Sequence, residues 1–330
     1  MKAHKKKTVL SGMRPTGPLH LGHLAGALPN WIKLQEQYQC FYSIVTWHAL
    51  SSEYQNSKAI KENIFEMAAD WLSIGINPEK SVLFIQSEVK EHAELHLLLS
   101  MIIPLPWLQR VPTFKEMQND LPDKDLNTYG FLGYPVLQTA DILVYKAEIV
   151  PVGEDQVFHL ELAREITRRF NRFYGNIFPE PQMLLTKVPK LAGTDGRKMS
   201  KSFGNAIYLK DPPEVIREKI STMMTDTRRK RRTDPGVPKD CPVFTLHKAF
   251  VAKEKRDALA KGCQTAKIGC LECKNVVIES LIKMLTPFWE KRGNFEKNRN
   301  LVWEILEKGN KRAREVAQNT MEEVRAAIGF

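Results

Sequence analysis

At 330 residues the chain is long enough for two domains, or for one Rossmann-like domain carrying an insertion or appendage, around a sizeable core. Its 49 Lys and Arg against 38 Asp and Glu leave a formal charge of +11, a surface field that draws polyanions such as nucleic acid, although a basic balance alone also fits a protein that binds none. Five cysteines do not make a disulfide scaffold, the apolar run at 97–108 is too short for a membrane span and is interrupted by Ser100, Pro104 and Pro106, and Lys5-Lys6-Lys7 leads into a short strand rather than a secretory leader, so a cytoplasmic chain is expected.

In chain order, residues 9–26 read as an apolar strand that breaks at Gly12, turns through Pro15 and Gly17 and enters a helix through His20-Leu21-Gly22-His23. Such a turn cradles nucleotides: Gly22 would open the helix N-terminus, where unpaired N–H groups and the helix dipole favour phosphate, and a side chain there would block close approach. Three apart, His20 and His23 face the same way and suit charge that grows on a phosphate in a transition state. Taken alone, the turn equally fits a plain strand-helix junction. Residues 40–45 and 81–86 read as buried parallel strands with a helical stretch near 57–74 between them, which makes an α/β sheet. Ligands of such sheets sit beyond the carboxyl ends of the strands, where Gly12, Trp47-His48 and Gln86-Ser87 fall. His48 reads as a pocket residue or as a satisfied buried histidine. The 97–108 run reads as a buried or subunit-facing helix.

A helical pattern over 128–146 spaces Tyr134, Gln138 and Asp141 by four and three, so they share one face. That face is a pocket wall or a solvated surface; a buried carboxylate there needs partners. Residues 150–156 form a strand and Gly turn opening a helix that ends in Arg164, Arg168, Arg169 and Arg172. A loop, Gly193-Thr194-Asp195-Gly196-Arg197, then leads into Lys198-Met199-Ser200-Lys201-Ser202. From about Pro212 the strands stop and helical patterns dominate, and 311–327 puts Ala313, Val316, Ala317, Thr320 and Val324 on one face. The run Arg228-Arg229-Lys230-Arg231-Arg232 reads as a solvated face or a phosphate contact. Cys241, Cys263, Cys270 and Cys273 follow the spacing C-x21-C-x6-C-x2-C. Four thiolates satisfy zinc or an iron–sulfur cluster, and a single Cys-x-x-Cys knuckle tilts the chemistry toward the cluster; four free buried thiols are the alternative.

The ordered pair of His-Leu-Gly-His and Lys-Met-Ser-Lys-Ser resembles the HIGH and KMSKS signatures of class I aminoacyl-tRNA synthetases. Tyr-Pro-Val-Leu-Gln-x-Ala-Asp-Ile at 134–142 and Val-Pro-Val-Gly-Glu-Asp-Gln at 150–156 extend the resemblance, over nearly the whole chain, to the bacterial tryptophanyl branch of that family. It implies an α/β fold: a Rossmann-like parallel-sheet catalytic domain at 1–205, an all-helical anticodon-binding domain at 206–290 holding the four cysteines, and C-terminal helices at 291–330 that fold back on the catalytic domain. The implied activity is ATP-dependent, Mg²⁺-assisted activation of L-tryptophan followed by transfer to tRNA(Trp), in a homodimer. By resemblance, the catalytic residues are His20, His23, Lys198 and Lys201. ATP contacts fall on Arg14, Pro15, Thr16, Gly22, His23, Gly153, Glu154, Asp155, Leu191, Lys198, Met199, Ser200, Lys201 and Ser202. Tryptophan contacts fall on Gly12, His48, Tyr134, Gln138, Asp141, Val150, Val152 and Gln156, with Asp141 accepting the indole N–H and Tyr134 and Gln156 holding the α-amino group.

A subgroup of these enzymes, also with a His-rich first motif, carries a [4Fe–4S] cluster near the anticodon region. Its cysteine pattern is matched here except for a first gap one residue shorter, with zinc as the alternative metal. The chain departs from many bacterial relatives in its first motif, where Thr-Ile-Gly-Asn is common, in Gln138 for Met, and in Arg14 for Gln. The rival readings are the tyrosyl branch, a HIGH-family nucleotidyltransferase that uses no tRNA, and a non-catalytic RNA-binding or redox-sensing paralogue.

Overall fold

A computed structural model describes residues 6–111, 126–185 and 189–330; Lys5 of the N-terminal lysine run lies outside them. Five parallel strands, β1 (Thr8–Met13), β2 (Gln39–Ile44), β3 (Ser81–Ile85), β4 (Ile149–Val152) and β5 (Gln182–Leu185), form one sheet in the order β3-β2-β1-β4-β5. β5 was not expected; its apolar stretch, Met183-Leu184-Leu185, is shorter than the run that marks β3 and stands half exposed at the sheet edge. The strand order reverses at β1, which opens a crevice beyond its carboxyl end. Register sets Gly12 opposite Ser43, and a Cβ on Gly12 would lie 2.8 Å from Val45 Cγ1, so this strand end tolerates only glycine.

Prolines and glycines punctuate the helices. Ile60–Ile74 stops at Gly75, whose φ of +110° suits a left-handed cap. The stretch expected as one helix over 128–146 is two, Tyr129–Leu132 and Tyr134–Val144, because Pro135 lacks an N–H and its ring would collide with the Phe131 carbonyl in a continuous helix. The apolar run at 97–108 likewise divides between Glu91–Ser100 and Leu105–Gln109 around Pro104. Leu99 and Leu108 of that run are buried, whereas Leu97, Met101 and Leu105 are 54%, 71% and 61% exposed.

The Arg299–Ile328 helix lies along β3 and buries Ala313, Ala317, Met321 and Val324. Asn310 Oδ1 accepts the Ile85 N–H at 2.8 Å, and Gly309 approaches so closely that a Cβ would fall 1.7 Å from the Leu83 carbonyl oxygen. An edge strand that would otherwise expose its backbone is thereby covered.

The described residues form two compact units. One holds all five strands and draws on 1–16, 31–186 and 298–330; the other draws on 17–30 and 187–297. This division is discontinuous, unlike the successive segments expected, since the first-motif turn belongs with the lysine loop. The expected boundary at 290/291 falls inside the Cys270–Lys297 helix, and the chain breaks instead at Asn298 (φ −124°, ψ 67°). In the second unit Pro213–Thr222 and Pro242–Phe250 pack on Cys270–Lys297 through Ile216, Ile220, Val243, Leu246, Val277 and Leu281. Much of the basic run is engaged within this unit: Arg228 pairs with Asp226 and Asp240, Arg229 donates to the Ile268 carbonyl, and Arg232 meets Glu272. No helix among the described residues is long and apolar enough to cross a membrane.

Candidate active site

Within the sheet unit a cavity of about 320 Å³ opens beyond the carboxyl ends of β1, β2 and β4. All eight residues expected to meet the amino acid line it: Gly12, His48, Tyr134, Gln138, Asp141, Val150, Val152 and Gln156, joined by Arg14 and Phe131. Val150 and Val152 reach it together because alternate strand residues share a face. Tyr134, Gln138 and Asp141 reach it because helical spacing stacks them, so this polar row is a pocket wall rather than a solvated surface.

Asp141 is 4% exposed. Its Oδ1 accepts from His92 Nδ1 at 2.6 Å and Gln86 Nε2 at 2.7 Å, and its Oδ2 from Gln86 Nε2 at 2.8 Å and His48 Nε2 at 3.0 Å. Burial alone would push this carboxyl up, but the His92 charge and the hydrogen bonds from His48 and His92 more than reverse it, and it stays ionised well below the usual carboxylate range. His48 is therefore both a pocket residue and a partnered buried histidine. Tyr134 makes a short hydrogen bond to His159 Nε2. His92 and His159 escaped the sequence reading, since a histidine on a covering helix carries no spacing signal toward a partner tens of residues away; Tyr145, close to Asp141 in the chain, escaped it because its hydroxyl meets His92 and not the carboxylate.

The nucleotide motifs lie in the second unit, where Leu21–Ala25 begins one residue before the expected start, with His20 as its N-cap. His20 Nδ1 accepts the Gly22 N–H at 3.0 Å, and His23 Nδ1 accepts the His20 N–H at 3.1 Å, a reciprocal cap. With both Nδ1 atoms accepting, the hydrogen of each neutral ring sits on Nε2, leaving two N–H donors for a ligand. Burial, helped by Lys201 and Lys198, pushes His20 down to about 4; burial, with His20 and Lys201, holds His23 well below the ordinary histidine value. A Cβ on Gly22 would lie 2.7 Å from His20 Cε1, so what this glycine makes room for in the fold is the capping ring itself.

Lys201 Nζ donates to the Gly17 carbonyl at 2.7 Å, tying the lysine loop to the turn before the first motif. Asn205, which sequence reasoning passed over, organises that loop: its Oδ1 accepts the Ser200 N–H at 2.8 Å, and its Nδ2 donates to Asp195 at 2.7 Å and to the Lys198 carbonyl at 3.2 Å. The Leu191 carbonyl accepts the Met199 N–H at 2.9 Å and closes the loop, leaving Lys198 and Ser202 exposed. Of the other residues expected at ATP, Arg14, Pro15 and Thr16 follow β1 and Gly153 and Glu154 follow β4 in the sheet unit; the Asp155 side chain lies outside the described parts.

All four candidate metal cysteines belong to the second unit. Cys263 Sγ lies under Gly236, where a Cβ would come within 2.6 Å, and beside Arg229; Cys273 Sγ is 3.2 Å from His247 Nε2. Burial and then the neighbouring thiols push Cys273 up to about 12. Among the described residues no group of three or more His, Cys, Asp or Glu side chains is gathered to hold a metal ion. The expected four-thiolate centre, cluster or zinc, thus receives no support from this geometry: as placed, Cys273 is a protonated thiol paired with His247.

The family described as tRNA synthetases class I (W and Y) matches residues 1–286. The chain is 53% identical over 324 residues to the tryptophan–tRNA ligase of Thermotoga maritima, covering 98% of this chain and 99% of that one. It is 44% identical to the tryptophan–tRNA ligase of Aquifex aeolicus, with 98% and 99% covered. Among solved structures, the tryptophanyl-tRNA synthetase of Campylobacter jejuni complexed with ADP and tryptophan matches with a TM-score of 0.87 at 34% identity, over 98% of this chain and 100% of that one.

Proposed function

The chain belongs to the class I tRNA synthetases of the tryptophan and tyrosine group, and from that premise we propose how its residues divide the work. It is an aminoacyl-tRNA ligase that activates L-tryptophan with ATP, releases pyrophosphate and passes the aminoacyl group to tRNA. The observation that carries the choice of amino acid is one buried, ionised carboxylate in a cavity walled by Phe131, Val150 and Val152. An indole is an apolar body with one ring N–H, and a site built around that single hydrogen bond rejects ligands that leave it unmade. Pyrophosphate exchange into ATP with tryptophan, with tyrosine or with no amino acid, followed by tRNA charging, tests the reading; equal exchange with tyrosine overturns it.

The tryptophan carboxylate attacks the ATP α-phosphorus, so the protein supplies placement and charge rather than a nucleophile. Tyr134 and Gln156 hold the α-amino group while Asp141 takes the indole N–H. His20 and His23 direct their Nε2–H groups at the phosphates, and Lys198 and Lys201 neutralise the departing pyrophosphate, which arrives as part of the Mg²⁺–ATP substrate. Arg14, Pro15, Thr16, Gly22, Gly153, Glu154, Asp155, Leu191, Met199, Ser200 and Ser202 complete the ATP contacts. A terminal ribose hydroxyl of tRNA(Trp) then attacks the adenylate carbonyl, the acyl–phosphate bond breaks and AMP leaves. The helices expected at 206–290, which run on to Lys297, take the anticodon, the terminal segment from Asn298 packs back on the sheet, and the enzyme works in the cytoplasm. The exposed Leu97, Met101 and Leu105 support a homodimer, which sedimentation tests.

The cysteine centre belongs to the same proposal as a structural group that no catalytic step uses. What supports it is a donor set of four soft thiols in one unit at the spacing C-x21-C-x6-C-x2-C, whose single Cys-x-x-Cys knuckle tilts the chemistry toward the cluster over zinc. Anaerobic purification with absorbance, iron and sulfide counts decides: a colourless protein with stoichiometric zinc rejects the cluster, and a metal-free protein that charges tRNA rejects any metal role.

A further inference from the structure

The carboxylate assigned to the indole is held from behind. Of the side chains bonded to Asp141, His48 lines the cavity whereas Gln86 and His92 do not. His92 is fully buried, and because a carboxylate only accepts, its Nδ1 carries the hydrogen across the 2.6 Å bond to Oδ1. Its Nε2 meets the Tyr145 hydroxyl at 2.7 Å, and Phe84 lies along the ring at 5.9 Å between centroids. Tyr145 is in turn stacked on Phe41 at 4.6 Å. Burial and the charges of Asp141 and Glu91 push the Tyr145 hydroxyl well up, so it remains protonated. The His92 ring is therefore pinned at both nitrogens and along one face. Gln86 adds a bridge to both oxygens and is itself anchored, its Oε1 accepting the Trp47 N–H at 2.9 Å. The remaining contact, from the cavity-lining His48 to Oδ2, is the longest of the set at 3.0 Å.

We propose that His92 is the positioning residue for indole recognition: pinned by Tyr145, it fixes the Asp141 carboxylate so that Oδ2 is presented to the cavity for a ring N–H. The inference rests on the assignment of Asp141 to the indole. Selection for the ring N–H then depends on a histidine that never touches the substrate.

The test compares tryptophan with β-(benzothiophen-3-yl)alanine, which keeps the shape of the ring and replaces N–H by sulfur, in pyrophosphate exchange by the full-length enzyme. In the wild type, kcat/KM favours tryptophan. His92→Leu lowers kcat/KM for tryptophan by about 10- to 100-fold, mainly through KM, with little change for the sulfur analogue, so the preference collapses. His92→Asn, whose amide N–H stands in for Nδ1–H, restores most of it, and Tyr145→Phe narrows it by a smaller factor. A folded His92→Leu variant that keeps the preference, or loses both substrates in parallel, overturns the proposal. Should His92→Leu fail to fold, an unchanged preference in Tyr145→Phe overturns it. Asp141→Ala separates the premise from the inference: if that variant keeps the wild-type preference, the assignment of Asp141 itself is wrong.

Discussion

The two units treat their polar side chains in opposite ways. In the sheet unit, Asp141 with Tyr145 at the end of its own helix, and His48, Gln86 and His92 from three other elements, are buried and bond chiefly to one another. In the second unit the first motif and the lysine loop are short segments whose groups lean on backbone: His20 on the Gly22 N–H, Lys201 on the Gly17 carbonyl, Asn205 on the Ser200 N–H and the Lys198 carbonyl. The difference follows from the tasks proposed for them. A group that reads one hydrogen atom on a ligand must not move, and a network whose members satisfy each other in low dielectric is stiff. Groups that meet charge migrating from ATP to pyrophosphate must be able to follow it, and long lysine side chains, Lys198 exposed and Lys201 half-buried, on a backbone-closed loop can.

The largest way to break the contrast is Asp141→Ala, which removes the hub and leaves buried donors on His92 and Gln86 unmatched. A loss of roughly 3–5 kcal/mol is expected for breaking one side of such a buried network, or about 10²- to 10³-fold and more in tryptophan-dependent pyrophosphate exchange. Asp141→Asn keeps an acceptor oxygen without the charge and should fall between. Lys198→Ala and Lys201→Ala come next, with an expected fall in activation rate of about 10²-fold and tryptophan affinity nearly unchanged, because their charge matters most as pyrophosphate departs. Stopped-flow adenylate formation beside equilibrium tryptophan binding measures both; equal losses in rate and binding would make these lysines ordinary ground-state contacts.

Asn205→Ala sharpens the comparison at smaller cost. It strips the loop of its organiser and should lower stability by about 1–3 kcal/mol, seen in thermal melts, while tryptophan binding persists. The smallest expected effect is that of pH. His20 is pushed down to about 4 in the folded chain from an ordinary value near 6.5, so the unfolded chain binds more protons and acid favours unfolding. The stabilisation from its neutral ring is complete above about pH 6.5 and declines as the pH falls toward 4, whereas Asp141 keeps its charge across that window. Hydrogen exchange should show the Leu21–Ala25 turn losing protection first on acidification; simultaneous loss around Asp141 would contradict the distinction.

Local chemistry determined what could be read without coordinates. Parallel strands buried on both faces are continuous apolar runs, so β2 and β3 stood out; helical spacing placed Tyr134, Gln138 and Asp141 on one wall, and alternation placed Val150 and Val152 on another. The pocket's lining was legible for that reason, as were the two nucleotide motifs. Only the tertiary structure decided what each group is bonded to. The edge strand β5 offers only a three-residue apolar stretch, Pro135 splits one expected helix into two, and residues 17–30 join a unit begun more than a hundred residues later. His92 became a partner of Asp141, and Tyr145 of His92, because the Glu91–Ser100 helix packs against Tyr134–Val144, and the four cysteines, regular in spacing, came to rest without gathering about one ion. Spacing along a chain constrains neighbours within a turn or a strand, and beyond that range the packing of whole elements chooses the partner.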